Sequence, residues 1–195
     1  MSEIGSLHDL LHDQLRDLYG AEKRQAKAIA KMARKTAGPN LRAALEAHLA
    51  ETRGQVERLE HCFDLIDEKA KARSCAGMKG IIEEAREHIA DDFDTAELRD
   101  LVIVAAALRM EHYEIAAYSC AIALAKQLDL ADVQAALDES LAEEKAAGDK
   151  LAAMTAALNA AAMAAVHFED DDLDDDVEDV DEDDEDDDED DDEGK

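Results

Sequence analysis

Four glutamates occupy or flank positions where helical patterns predict an apolar residue. They are Glu22, Glu51, Glu111 and Glu144, one on each of four predicted long helices. An ionised carboxylate in a helix-bundle core costs on the order of several kcal/mol unless a cation, a proton or a metal compensates it. One carboxylate from each of four core-facing helices is an arrangement with which bundles hold metal.

Carboxylates are hard oxygen ligands that suit iron or manganese, and a carboxylate can bridge two metals. Two further side chains, Gln55 and Glu114, lie near the same faces and complete the predicted ligand set. Four others could support these ligands or bind directly: His48, His112, Tyr113 and Asp149. The chemistry expected of two adjacent redox metals in a dry core is that of dioxygen or peroxide.

The alternative is that each glutamate is partly exposed and paired with a base. The bases nearest in sequence are Lys23, Arg53, Arg109 and Lys145. Helical spacing places these four basic side chains away from the apolar faces of their helices. In an antiparallel bundle, the four glutamates lie at similar positions along the bundle axis. The pattern therefore favours a metal site over four separate ion pairs.

Apolar residues at spacings of three and four predict the elements that position these glutamates. Ser6 and Asp9 resemble the start of a helix, and Gly38-Pro39 ends it. Four long helices and one short helix are predicted, at about 6–35, 40–71, 78–90, 96–127 and 131–165.

Helix lengths and connections predict the topology. The first two long helices are joined by a tight turn, as are the last two, and a connection of about 25 residues with the short helix links the pairs. Two helical hairpins with a long crossover are typical of an all-α, ferritin-like four-helix bundle.

Composition separates the chain into two parts. Of the 195 residues 47% are hydrophobic and only 3% aromatic, which favours helices. Residues 169–195 hold 22 of the 51 acids and one of the 21 bases, leaving residues 1–168 a net charge of −9. We therefore predict a helical domain at 1–168 and a disordered acidic tail at 169–195.

The same composition limits partners and location. Acidity throughout disfavours nucleic acid, and no apolar stretch is long enough to cross a bilayer. No signal peptide is visible, so we expect a cytoplasmic protein, with Cys62, Cys75 and Cys120 as buried reduced thiols. The tail could concentrate cations, act as an interaction arm, or be simply solvated.

Several segments, in order, resemble one bacterial family. They are Asp17 to Lys23, His48 to Thr52, Glu111 to Ala116, Glu143 to Ala146, and the crossover Cys75 to Ala85. The chain, from residue 6 to about 158, resembles the YciF-type (DUF892) ferritin-like stress proteins. The resemblance implies a dinuclear centre, with iron first and manganese second, and a role in stress response.

The chain also departs from common metal-site patterns. Bundle sites often carry Glu-x-x-His on two helices, whereas Gly54 follows Glu51 and Ala147 follows Glu144 at that spacing. Members of the resembled family often carry an acid where this chain has Gly148. Two hypotheses stay open: a di-metal protein reacting with peroxide or dioxygen, and a non-catalytic structural or interaction protein with a vestigial site. Alanine-rich outer faces lead us to expect a homodimer.

Overall fold

The computed structural model describes residues 4–171, with side chains described as far as residue 165, and every regular element in that range is a helix. The elements are α1 (Leu7–Lys35), α2 (Pro39–Leu65), α3 (Ala76–Ala90), α4 (Ala96–Gln127) and α5 (Ala131–Asp171). The predicted all-α bundle with an extra helix in the crossover is confirmed.

Local signals set most helix starts. The Ser6 hydroxyl accepts the Asp9 N–H at 3.1 Å and the Thr95 hydroxyl accepts the Leu98 N–H at 3.3 Å, satisfying donors that the helix leaves unpaired. Pro39 occupies the first position of α2, where its missing N–H costs nothing. These caps place α1 and α4 close to the predicted bounds.

Two predicted helix bounds differ from the structure. Helix α2 ends at Leu65, six residues before its predicted end, and Asp67 adopts a positive φ of 56° that a continuing helix does not allow. Helix α5 continues to Asp171, three residues into the region assigned to the tail. The remainder of the predicted disordered tail lies outside the described residues.

The helices form two antiparallel hairpins, α1 with α2 and α4 with α5. Helix α1 also packs on α4, α2 packs on α5, and α3 lies against α4 and α1. The Asp100 carboxylate near the start of α4 accepts the N–H groups of Ala37 and Gly38 at 3.0 and 2.7 Å. This contact fixes the start of α4 against the turn between α1 and α2.

The apolar core consists of two clusters with polar residues between them. One cluster includes Ile29, Leu45, Met78 and Ile103, and the other includes Leu15, Leu59, Tyr118 and Leu137. Buried polar side chains from α1, α2, α4 and α5 lie at the level where the clusters meet. The core therefore encloses the candidate site from both ends.

Candidate metal site

A layer of buried polar side chains crosses the bundle between the two apolar clusters. This polar layer comprises Glu22, Gln25, His48, Gln55, Glu111, Glu114 and Glu144. The four carboxylates are 0% exposed and His48 is 4% exposed. Four acids with so little water around them require a compensating positive charge.

Lysine and arginine do not supply that charge. Within the part of the chain described with side chains, His48 is the only basic residue with a nitrogen within 4.0 Å of these carboxylates. Lys23, Arg53, Arg109 and Lys145 are all exposed. The alternative of four separate ion pairs is therefore wrong.

Two groups of ligand atoms converge within the polar layer. One ligand atom each from His48, Glu111 and Glu144 lie within 4.8 Å of one another, and so do atoms from Glu22, Glu114 and Glu144. Glu144 belongs to both groups. Each group offers carboxylate or imidazole atoms that could hold a metal ion.

Hydrogen bonds orient some oxygens of the layer and leave others without a partner. Tyr118 donates to Glu22 Oε1 at 2.5 Å, and the Gln55 amide donates to Glu144 Oε1 at 2.5 Å. The second oxygens of Glu22 and Glu144, and both oxygens of Glu114, have no hydrogen-bond partner. Buried oxygens are rarely left unpaired in proteins, so this set of acceptors fits a cation.

Burial determines the protonation of the metal-free carboxyls. Loss of hydration raises the pKa of Glu111 to about 7, and the negative charges of Glu22 and Glu51 add to the rise. The pKa of Glu144 rises to about 9, first through burial and then through its contact with Glu111. Burial likewise raises the pKa of Glu22 and Glu114 well above the ordinary glutamate range. Without metal, protons neutralise much of this layer.

The structure corrects the expected position of Glu51. Its side chain is 46% exposed, and its Oε2 lies 3.3 Å from His48 Nδ1. The inward position on α2 belongs to His48, whose Nε2 lies 3.0 Å from Glu111 Oε2 and 3.2 Å from the Gln25 amide nitrogen. With the proton on Nδ1, His48 donates to Glu51 and keeps an Nε2 lone pair inside the site.

Other predicted side chains divide between the layer and the surface. Gln55 and Glu114 lie in the layer, whereas His112 and Asp149 are exposed. Tyr113 is half-buried and bonds elsewhere: its hydroxyl donates to Asp17 at 3.0 Å and lies 3.0 Å from Cys75 Sγ. The structure therefore does not bring His112, Asp149 or Tyr113 into the polar layer.

Sequence reasoning did not identify Gln25 or Tyr118 as parts of the site. Gln25 donates to Glu111 Oε1 at 3.3 Å, and Tyr118 holds Glu22. Their spacing could have identified them. Gln25 lies three residues after Glu22 and Tyr118 lies four residues after Glu114, and residues three or four apart lie on the same face of a helix.

A narrow pocket leads from the surface to His48. It has a volume of about 100 Å³ and lies between α2 and α5, lined by residues that include Leu45, Glu51, Ala147 and Lys150. Glu51 stands at its mouth and His48 on its inner side. The pocket therefore opens beside His48, one member of the polar layer.

Fold and site together define an all-helical, ferritin-like bundle with a carboxylate-rich centre. A family model described as "Domain of unknown function (DUF892)" matches residues 6–164. The chain therefore belongs to the DUF892 family, and the predicted resemblance is confirmed.

Individual relatives agree with this assignment. Protein YciF of Escherichia coli (strain K12) is 42% identical over 147 residues, which cover 75% of this chain and 88% of YciF. The crystal structure of the E. coli stress protein YciF matches with a TM-score of 0.75 and 38% identity over 80% of this chain and 98% of that one.

A second solved relative is YcfI from Rhodopseudomonas palustris, for which a structural role has been suggested. It matches with a TM-score of 0.74 and 40% identity, covering 76% of this chain and 94% of YcfI. A Xanthomonas campestris protein at 20% identity and a TM-score of 0.67 shares the fold. Among the described residues, no helix is both long and apolar enough to span a membrane.

Proposed function

We propose that this chain is a ferritin-like di-metal carboxylate protein that binds iron or manganese and acts in a bacterial stress response. The observation that carries the proposal is the pair of three-ligand groups that share Glu144. The unpartnered buried oxygens of Glu22, Glu114 and Glu144 support the same reading.

Six of the seven side chains in the polar layer have a stated task under this proposal. Glu144 would contribute to both metal positions, with His48 and Glu111 at one and Glu22 and Glu114 at the other. Gln55 and Tyr118 hold Glu144 and Glu22 in place through their hydrogen bonds. Glu51 fixes the imidazole of His48 from outside, as carboxylates commonly do for metal-binding histidines.

Two adjacent redox metals, when bound, can each change oxidation state by one electron, which suits peroxide or dioxygen. The protein's own contribution is to exclude bulk water and to hold the ligands between two apolar clusters. Protons that neutralise the metal-free carboxyls would leave on metal binding, since the ligands must be deprotonated. The narrow pocket beside His48 restricts access to small reactants.

Metal stoichiometry tests the proposal. Metal-depleted protein is loaded anaerobically with Fe²⁺, or with Mn²⁺, desalted, and analysed for bound metal by mass spectrometry. We expect two equivalents per chain, loss of both in Glu144→Gln, and retention of both in the matched control Asp149→Asn on the same helix. Absence of stoichiometric metal, or an unchanged stoichiometry in Glu144→Gln, would contradict it.

A second function has its own support: a stress-induced structural or interaction protein with a vestigial site. Gly54, Ala147 and Gly148 stand where further ligands could be, and YcfI has been suggested to be structural. Removing buried uncompensated acids often stabilises a protein, whereas removing ligands from a filled site does not. If Glu22→Ala with Glu111→Ala raised the melting temperature and left any peroxide turnover intact, this second function would be favoured.

The expected homodimer, the absence of nucleic-acid and membrane partners and the cytoplasmic location remain predictions. Sedimentation of the purified full chain would test the dimer directly.

A further inference from the structure

A groove of about 520 Å³ runs between α1 and α3, on a different face of the bundle from the pocket beside His48. Its walls carry eight basic side chains and a single acid, Glu83. The bases are Lys23, Arg24, Lys27, Lys31, Lys35, Arg73, Lys79 and Arg86. Eight of the 20 bases in residues 1–168 therefore line one groove of an otherwise acidic domain.

Most of these charges are not neutralised by neighbours. Lys79 pairs with Glu83 at 3.5 Å and Arg73 pairs with Asp13. The other groove bases make no ion pair with any side chain that the structure describes. Lys23, one of them, lies over the Tyr19 ring. Lys23, Lys27, Lys31 and Lys35 recur every four residues along α1, and like charges at this spacing destabilise a helix. Such a stripe indicates an anionic occupant.

The groove also has an apolar floor, which includes Ala28, Met32, Ile82 and Ile89. A matching occupant would combine many acids with a few apolar residues. The segment from residue 172 to residue 195 holds 19 acids, one base and three apolar residues, Leu173, Val177 and Val180. These three residues are spaced by four and three, a repeat that places side chains on one face of a helix.

The course of α5 brings this segment to the correct end of the bundle. Helices α4 and α5 are antiparallel, and α5 is nine residues longer, with 41 residues against 32. It therefore continues past the start of α4, the level at which Asp100 contacts the turn after Lys35. The lysine stripe from Lys23 to Lys35 is roughly 18 Å long, and 24 extended residues can span up to about 80 Å.

We propose that the acidic C-terminal segment 172–195 docks intramolecularly into the basic groove between α1 and α3. The groove is an interaction surface for the chain's own tail, held by charge and by contact of Leu173, Val177 and Val180 with the apolar floor. Tethering gives the tail a high effective concentration that free anions must overcome. Docking does not depend on a metal centre, and its failure would leave the proposed metal site unaffected.

Zero-length carbodiimide cross-linking of the full-length protein tests the docking, since it joins only lysines and carboxylates in direct contact. In low salt with chelator, we expect residues 172–193 to cross-link to Lys27, Lys31 and Lys35 about tenfold more than to Lys126, Lys145 and Lys150. Lys150 is a demanding control because it lies closer to the tail along the chain. Salt near 0.5 M should reduce the groove cross-links severalfold, because exposed charges are then screened.

A charge-matched pair of variants provides the second measurement. Lys27→Gln with Lys31→Gln and Lys35→Gln should release the tail and increase the radius of gyration in X-ray scattering. The control Lys126→Gln with Lys145→Gln and Lys150→Gln should leave the radius unchanged. Equal radii in the two variants, or tail cross-links spread evenly over all surface lysines, would overturn the proposal.

Two further outcomes would also overturn it. Cross-links found only between labelled and unlabelled copies in an isotope mixture would assign the groove to the tail of a second copy. Absence of tail cross-links, together with binding of single-stranded RNA or inorganic polyphosphate at the same lysines, would assign the groove to phosphates.

Discussion

His48 Nε2 lies 3.0 Å from Glu111 Oε2, with both side chains buried at the centre of the bundle. Helix α2 therefore contributes the His48 imidazole to the polar layer, together with the Gln55 amide. The exposed Glu51 lies 3.3 Å from the other ring nitrogen. A histidine with a carboxylate behind it and carboxylates in front of it is a common way to present one metal ligand.

His48 and Glu51 should differ sharply in their effect on metal binding. His48→Ala removes a ligand from one group only, so we expect bound metal to fall from two equivalents to about one per chain. Glu51→Gln should keep both equivalents with an affinity lowered about tenfold, since it loses only the group that orients the ring. Titration calorimetry measures both, with Glu46→Gln as a surface control on the same helix. Loss of a full equivalent in Glu51→Gln would return Glu51 to the ligand set.

Gly148 should accept a new ligand. A Cβ at this position would meet Glu111 Cβ at 3.8 Å and Ile115 Cδ1 at 4.0 Å, which are ordinary contacts. Gly148→Glu should therefore fit, lower the stability of the metal-free protein and tighten metal binding. Gly148→Ala is the control: it should raise stability by about 1 kcal/mol through helix propensity and leave metal affinity unchanged. Weaker metal binding in Gly148→Glu than in Gly148→Ala would contradict the expected position of the added carboxylate.

The stability of the metal-free protein should fall as pH rises from 6 to 9. Folding raises the pKa of Glu111 to about 7 and that of Glu144 to about 9, from an unfolded value near 4.5. The folded state therefore holds protons that the unfolded state has released. The resulting stabilisation is complete below pH 4.5 and is lost as pH passes through 7 and 9.

Urea denaturation in chelator measures this loss, which should reach at most about 5 kcal/mol between pH 6 and pH 9. The double variant Glu111→Gln with Glu144→Gln should show a much flatter profile. Saturating Mn²⁺ should reverse the wild-type slope, because metal binding favours deprotonated ligands. A metal-free protein equally stable at pH 6 and pH 9 would argue against buried, uncompensated carboxyls.

The three cysteines should differ in reactivity. All are free thiols, but Cys62 and Cys75 are buried whereas Cys120 is exposed, so the expectation that all three are buried is wrong for Cys120. Burial raises the pKa of Cys62 to about 11 and also raises that of Cys75, and the thiolate is the reactive form. At pH 7.5 iodoacetamide should modify Cys120 alone in the native protein and all three in urea, as read by peptide mass spectrometry. Native labelling of Cys62 at the rate of Cys120 would contradict the packing.

Helix existence and pairing could be predicted because their causes are local. Ser6, Pro39 and the three-four spacing of apolar residues mark the bundle helices in the sequence itself. The end of α2 could not be predicted, since residues 66–71 contain neither glycine nor proline and the positive φ at Asp67 is set by the path to α3.

The site was predictable to within one helical turn. Glu22, Glu111 and Glu144 interrupt the apolar faces of their helices and are buried as expected. His48 and Glu51 lie three residues apart, so both fall near one face of α2 and spacing alone does not choose between them. Their positions depend on how α2 rotates against α5, which is a property of packing.

The most direct measurement is anomalous diffraction from crystals of the metal-loaded protein at the iron and manganese edges. The proposed function predicts two anomalous peaks in the polar layer, one held by His48, Glu111 and Glu144 and the other by Glu22, Glu114 and Glu144. Metal found only at the protein surface, or no peak beside Glu144 in protein loaded to saturation, would contradict it.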